Sequence, residues 1–399
     1  MTGFGRATSQ ACARLCVFLG VLGAASASAW GQDATIVYRI GRDTVAIEQF
    51  RRTASRMVGE SVCRHGDFVA RTQYDVTLER GRLRAMVVRA RQPDGAPIAG
   101  LPLEWRLSFG RDSVLRETVW RDSTRTQAFA AANAFFLLPI LYSVPAPQGR
   151  AQEAFVYPHA LFELLAAAAA GRDSLVAAPL AGSAVRMIHI QRDTGGVVHL
   201  RGVPPSAELM RFDRDGHLLW TDGASVTSTR VAGKVDIAAF ASQMTPTGVL
   251  SPRATAYAEF DRGPIFINYG RPSTRGRSVW GGILVPFDSI WRTGANEATH
   301  LATSKTIVIG DLTLAPGLYT LWTRYTHSGA FLIVNRQVGQ WGTAYDSAQD
   351  IGRVRMDMAP APEHVETFTI TVRATGPHRG AFDFAWGDSV ATAPFTVRP

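Results

Sequence analysis

The chain has 399 residues, 46% of them hydrophobic, with a mean hydropathy close to zero and a formal net charge of +9. That composition argues for a globular protein rather than a disordered one, and the length exceeds what one ordinary hydrophobic core organises, so two domains are expected. Arginine carries the positive charge, Lys234 and Lys305 being the only lysines, and the arginines are interspersed with aspartates. No phosphate-tracking stripe results, and nucleic acid is not an expected partner.

Residues 1–31 read as an export signal. Arg6 and Arg14 supply a positive start, Leu15 to Val21 an apolar run, and Ala24 to Ala29 the small residues of a cleavage site. The run is shorter than the ~20 residues a membrane span needs, and no later stretch is long and apolar enough, so an exported periplasmic or extracellular protein is expected. Cleavage removes Cys12 and Cys16 and leaves Cys63 alone, which excludes an internal disulfide in the mature chain.

From residue 32 to 244 the expectation is an antiparallel, β-rich α+β domain. Thr35 to Ile40, Thr44 to Phe50, Tyr74 to Leu78 and Leu83 to Val88 are strand-length and rich in β-branched or aromatic residues. Gly-Arg-Asp-Thr/Ser turns at Gly41, Gly110 and Gly171, with related turns at Asp193 and Asp213, mark repeated hairpins. Ala151 to Ala170 is rich in alanine and leucine and stops before Gly171, which predicts a helix buried on a sheet face. A curved sheet around one helix is similar to bacterial envelope carriers of lipids or lipoproteins, which implies an apolar-ligand carrier as one reading of this half. A short helix is predicted over Asp236 to Met244, and Thr245 to Thr255 reads as a linker.

After the linker, residues 256–399 predict an all-β domain of sandwich or jelly-roll type, so the fold class is mainly β. Short strands are expected at Ile265 to Tyr269, Lys305 to Ile309, Gly317 to Trp322, Phe331 to Val334, Glu366 to Val372 and Ala381 to Trp386. Between the first two lies Tyr269 to Leu301, dense in arginine, tryptophan and glycine, around which the domain is organised. Tyr269-Gly270-Arg271-Pro272, Arg275-Gly276-Arg277, Trp280-Gly281-Gly282, Val285-Pro286, Trp291 to Thr299, Pro316 to Leu321, Gly339 to Thr343 and Tyr345-Asp346 together resemble the bacterial domain of unknown function 2911. The resemblance spans roughly residues 251 to 398. It implies no activity, so no catalytic roles transfer. The chain departs from the family pattern after Ser-Pro, where Arg253 and Ala254 replace a histidine and an acidic residue.

Arg292, Asn296 and Glu297 follow Trp291 and offer a cation, an amide and a carboxylate within a few positions; Trp341, Tyr345 and Asp346 repeat the pairing of aromatics with a carboxylate. With Arg271, Arg277 and His300 they are the candidate ligand-binding residues, suited to a carbohydrate or a carboxylate-bearing molecule. The competing structural reading pairs Arg292 with Glu297 as a loop pin. No nucleophile elbow, S-x-x-K, P-loop, dinucleotide fingerprint or H-E-x-x-H occurs, so no catalytic residue, metal ligand or cofactor is assigned. Non-catalytic binding of a polar ligand or envelope component is the expected function. A hydrolase using Glu297 with Asp346 or His300 is the first alternative, and the apolar carrier the second. Oligomeric state stays open.

Overall fold

A computed structural model describes residues 33–130, 135–136, 140–145, 151–156, 160–168, 174–178, 186–201, 208–223, 226–282 and 284–398. The expected export signal lies outside them. Strands take up 63% of the structure and helices 5%, in two large antiparallel sheets that stay open rather than closing into barrels.

The first sheet begins as a meander of β1 (Asp33–Ile40), β2 (Asp43–Arg52), β3 (Arg56–Arg64), β4 (Val69–Glu79), β5 (Arg82–Arg91), β6 (Glu104–Phe109), β7 (Ser113–Val119) and β8 (Thr124–Ala130). After β9 (Phe135–Phe136), a separate hairpin of β10 (Ile140–Pro145) and β11 (Ala151–Val156) leads to helix α1 (Leu161–Ala168). The chain returns through β12 (Ser174–Ala178), β13 (Arg186–Arg192), β14 (Val197–Arg201), β15 (Glu208–Phe212), β16 (Leu218–Asp222) and β17 (Thr227–Val231), and β17 pairs with β1 to join the two runs. The turn at Asp213 shows why the hairpins recur: Asp213 Oδ1 accepts from the amides of Asp215 and His217, and Gly216 takes a positive φ of 82°.

The predicted helix over Ala151 to Ala170 is shorter than expected. Ala151–Val156 is a strand paired with Ile140–Pro145, and among the described residues of this stretch Leu161–Ala168 is helical. Cross-strand pairing overrides the helix preference of alanine, glutamine and glutamate. Two helices cover opposite faces of the sheet. Ala160, Leu161, Phe162 and Leu164 of the α1 segment join the larger core, while α2 (Ile237–Gln243), capped by Asp236 as expected, packs Ile237 and Ala241 on Val37, Ile47, Val62 and Val69. Cys63 is buried, and burial pushes its thiol pKa up, as for an inert core residue.

The predicted linker is partly ordered against the first sheet. The amides of Thr247 and Gly248 donate to the carbonyls of His65 and Gly66, and Arg253 to Thr255 already belong to the next strand. Arg275 joins the two sheets again: its guanidinium pairs with Asp43 at 2.5 Å, and its carbonyl accepts from the Arg42 amide.

The second sheet contains β18 (Arg253–Phe260), β19 (Gly263–Gly270), β20 (Ile290–Trp291), β21 (Thr299–Thr303), β22 (Ile307–Ile309), β23 (Leu312–Leu314), β24 (Gly317–Thr326), β25 (Gly329–Asn335), β26 (Asp350–Gly376) and β27 (Arg379–Val397). The hydrogen-bonded order runs β18-β19-β21-β24-β25-β26-β27-β22-β23, with β20 beside β24. Strands from both ends of that order share one core, in which Phe260 of β18 meets Phe395 of β27 at 5.3 Å between ring centroids. The sheet therefore folds over itself and leaves the other face of β18 and β19 toward solvent, whereas Thr320 and Trp322 on that face of β24 are buried.

Candidate ligand-binding face

The organising stretch divides into a structural part and a solvent-facing part. Arg271 donates to the Phe368 carbonyl at 3.2 Å and to Thr369 Oγ1 at 3.0 Å. Arg277 donates to the carbonyls of Thr274 and Ser273, both at 2.9 Å, and burial holds its pKa below the ordinary guanidinium value. Both arginines staple main chain and are not offered to a ligand. Trp291 is also structural: its indole stacks on Trp386 at 5.6 Å and meets Phe368 at 5.0 Å inside the core. Its position next to Arg292 suggested an aromatic ligand face. Trp291, paired in β20 with Thr323, turns its ring into the core, and Arg292 follows outside the strand and only half-buried.

The segment Thr293-Gly294-Ala295-Asn296 makes a tight reversal, with positive φ at Thr293 and at Asn296 (54° and 66°). Asparagine tolerates that region, and buried Thr293 is held by a hydrogen bond from its hydroxyl to Thr323 Oγ1 at 3.1 Å. The reversal presents Asn296 and Glu297 to the segment 336–349, which lies as a strap over the solvent-side face. Glu297 bridges to Trp341, the Gly342 amide donates to the Asn296 carbonyl at 2.9 Å, and the Ala298 amide donates to the Gln340 carbonyl at 3.2 Å. Gly342 is required because a Cβ there would overlap the Arg292 stem and the Asn296 carbonyl.

Side chains from the sheet complete the strap. Thr320 Oγ1 donates to the Gln337 carbonyl at 2.8 Å and accepts from Trp322 Nε1 and Gln340 Nε2. Asn335 donates to the Asp346 carbonyl and to Asp350. His300 uses both ring nitrogens: Nδ1 faces the Ala298 carbonyl at 2.9 Å and must carry the proton, and Nε2 accepts from the Gly339 amide at 2.9 Å. Burial lowers its pKa, so the neutral ring is held in one tautomer with no free lone pair. Tyr345 donates to Asp350 at 2.6 Å and packs on Trp322, and Asp346 caps the 3-10 turn Ser347–Gln349 by accepting from the Ala348 amide. His300, Tyr345 and Asp346 thus hold the strap. The hydrolase alternative loses the base it assigned to His300.

Arg292 and Glu297 do not form the expected pin. Glu297 pairs with Arg253 at 3.0 Å, and Arg253 also donates to Asn268 Oδ1 at 2.9 Å. The position where the family pattern carries histidine thus supplies the partner of Glu297. Arg292, half-buried beneath Gly342, has no hydrogen-bond or ion-pair partner among the described residues, and desolvation lowers its pKa. Beside it Trp341 is 46% exposed.

Strand register extends this face in a way the motifs did not signal. Tyr257 pairs with Phe266, Phe266 with Ala302 and Ala302 with Leu318, so the four side chains project to one side; Tyr257, Phe266 and Leu318 are all exposed. Asn268 and His300 form the adjacent row on the same side. Alternation of exposed and core residues along β18 and β19 was the signal available for Tyr257 and Phe266.

Two other clusters bear on the location of a site. His364 lies between Thr274 Oγ1 at 3.5 Å and Asp388 at 2.8 Å, in the sequence of contacts of a nucleophile triad. Thr274 is fully buried, however, and its hydroxyl donates to Glu366 at 2.6 Å, so no nucleophile is presented. An open groove of about 400 Å³ on the first sheet is lined by Asp33, Arg51, Glu60, Asp75, Arg89 and Lys234. These charges already have partners: Arg51 and Lys234 on Asp33, Arg71 on Glu60, Arg56 on Asp75, Arg89 on Glu104.

The second sheet, its strap and the motif residues that bind the strap form one sequence unit. Residues 251–395 match the family described as Protein of unknown function (DUF2911). The match covers the ten-stranded sheet and its core and leaves the first sheet without a family match. No curated protein and no solved structure matches the chain. Within the DUF2911 region, residues of Gly339-Gln340-Trp341-Gly342 and of Trp291 to Thr299 lock the strap to the sheet, with Trp341 exposed beside half-buried Arg292.

Proposed function

We propose that the protein binds a carboxylate-bearing glycan, free or as part of the cell envelope, on the solvent face of the second sheet and does not alter it chemically. The observation that carries this reading is Arg292, a half-buried guanidinium with no anion partner among the described residues, held beside the exposed ring of Trp341. A guanidinium in that setting gains most from a planar carboxylate, and a tryptophan face suits the apolar side of a sugar ring. Arg253, Glu297 and Asn268 add donors and acceptors for hydroxyl groups, and Tyr257 and Phe266 extend the surface.

Titration with uronate oligosaccharides, followed by tryptophan fluorescence and calorimetry, tests the reading. Uronate oligomers should bind, neutral oligomers of the same length should bind at least about tenfold more weakly, and Arg292→Ala should remove that preference, since one charge-assisted bond is worth roughly 1.5–3 kcal/mol. Equal affinity for charged and neutral oligomers, or unaltered binding in Trp341→Ala, would overturn it.

The positive start, apolar run and small-residue site of residues 1–31 support delivery of the protein outside the cytoplasm. Mass spectrometry of chain recovered from the native host's envelope or medium should find an N-terminus near Trp30 or Gln32. A full-length chain confined to the cytoplasm would refute delivery. Among the described residues no helix is long and apolar enough to cross a membrane.

A further inference from the structure

We infer that the free edge of β18 is a self-association site, at which Arg253–Phe260 pairs with the same strand of a second copy, antiparallel and centred on Ala256. β18 ends the strand order, and its register with β19 runs without a shift from Arg253 to Phe260. The hairpin between them is closed by Asp261 and Arg262, both at positive φ (45° and 58°), the signature of a two-residue I′ turn. In such a hairpin the closing pair, Phe260 and Gly263, is hydrogen-bonded, and bonded pairs then alternate. Ala258, Ala256 and Ala254 therefore direct their backbone groups to β19. Arg253, Thr255, Tyr257 and Glu259 direct theirs outward. Pro264, which has no N–H, stands opposite Glu259 as this alternation requires.

The same alternation restricts the partner. A two-fold axis through Ala256 sets Thr255 opposite Tyr257 of the second copy and Arg253 opposite its Glu259, so every residue with free backbone groups meets another. Shifting the centre to Thr255 keeps the backbone parity but separates the opposite charges, and a centre at Tyr257 sets Arg253 opposite Asp261, which lies in the turn beyond the strand. Of these registers only the one centred on Ala256 places a guanidinium opposite a carboxylate with both residues inside the strand. Core-facing Ala254, Ala256 and Ala258 carry no bulk that would hold the strands apart. Natural edge strands are usually guarded by proline, a bulge or an inward-pointing charge, and β18 has none of these between Arg253 and Phe260. Thr255, Tyr257 and Glu259 are exposed, and Tyr257 lies 5.0 Å from Phe266 between ring centroids, so pairing would join the two apolar faces into one.

The edge shares Arg253 and Tyr257 with the proposed ligand face, and Arg253 already pairs with Glu297 within the chain, but association is measured without ligand, so the two readings fail separately. Sedimentation equilibrium of the whole chain should give twice the chain mass with a concentration-dependent approach to the monomer. Thr255→Pro removes an outward N–H that β19 does not use, so it should leave the circular dichroism and melting curve in place and yield a monomer. Glu259→Arg, which sets like charges opposite each other, should weaken the dimer at least tenfold. An equimolar mixture of Thr255→Cys and Tyr257→Cys chains should cross-link on mild oxidation, whereas neither variant should do so alone. A wild-type chain that stays monomeric, a dimer indifferent to Thr255→Pro, or cross-linking within either cysteine variant alone would overturn the inference.

Discussion

Replacing Glu48 by alanine should lower the stability of the first sheet by about 3–5 kcal/mol. Glu48 is fully buried on β2 beneath α1 and accepts three hydrogen bonds, from the hydroxyls of Tyr38 and Tyr74 and from the Ala160 amide at 3.3 Å. Each donor left without an acceptor in the core costs about 1–3 kcal/mol. Gly59 is part of the same arrangement, because a Cβ there would collide with the Tyr74 hydroxyl. Helix α1 replies with Glu163, also buried, which accepts from the Leu218 amide at 2.9 Å and pairs with Arg230. Two carboxylates thus clamp the helix to the sheet, one from each side. Equilibrium urea unfolding checks the loss, and a Glu48→Ala midpoint equal to wild type would refute the clamp.

Glu48 also sets a pH dependence. Burial raises its pKa from 4.5 to about 7, against the opposing pull of the two tyrosines and the Ala160 amide. The native state therefore holds its proton over a range in which the unfolded chain has lost it. That contribution is fully present below about pH 4.5 and disappears as pH rises through 7. A rise from 4.5 to about 7 corresponds to a few kcal/mol, on the order of 3. Glu48→Gln cannot titrate. Between pH 5 and pH 8 wild type should lose stability relative to this variant by an amount of that order. Parallel stability curves for the two proteins would show that Glu48 titrates normally.

Trp291→Ala should destabilise the second sheet by about 3–5 kcal/mol, as large-to-small changes of core aromatics usually do. The ring is packed between Trp386 and Phe368, with Trp280 and Tyr325 at its margins. Trp341→Ala removes a side chain that is 46% exposed and should cost far less, within about 1 kcal/mol. Comparing the two by denaturation separates a core tryptophan from a binding platform. Similar losses for both would mean that Trp341 anchors the strap by packing, which would remove the platform from the ligand reading.

Much of this architecture could be read from local pattern. Alternation of apolar residues, Asp-Gly turn chemistry and the Asp236 cap depend on neighbours a few positions apart, so the β-rich class and α2 followed from the chain directly. Where a distant strand overrode local preference the reading failed, as at Ala151–Val156, which pairs with Ile140–Pro145. The motif residues around Trp291 and Trp341 identified the right region but not the role of each side chain. Residues 292 and 297 are close in the chain, so pairing them was the natural assumption. Folding instead brought Arg253 to Glu297 from 44 positions away, and Arg292 has no ion-pair partner among the described residues.

The amino-acid sequence by itself determined that this is a mainly β protein with a DUF2911 region at its C-terminal end and a dense polar stretch within that region. Tertiary structure alone decided which of those polar groups face solvent, because exposure depends on which strands pair and which face the strap covers. It also decided that Arg271, Arg277, His300 and Asp346 would be used up in holding main chain, whereas Arg292 would not. A buried donor or acceptor must find a partner wherever the fold provides one, and that partner is set by three-dimensional packing rather than by distance along the chain.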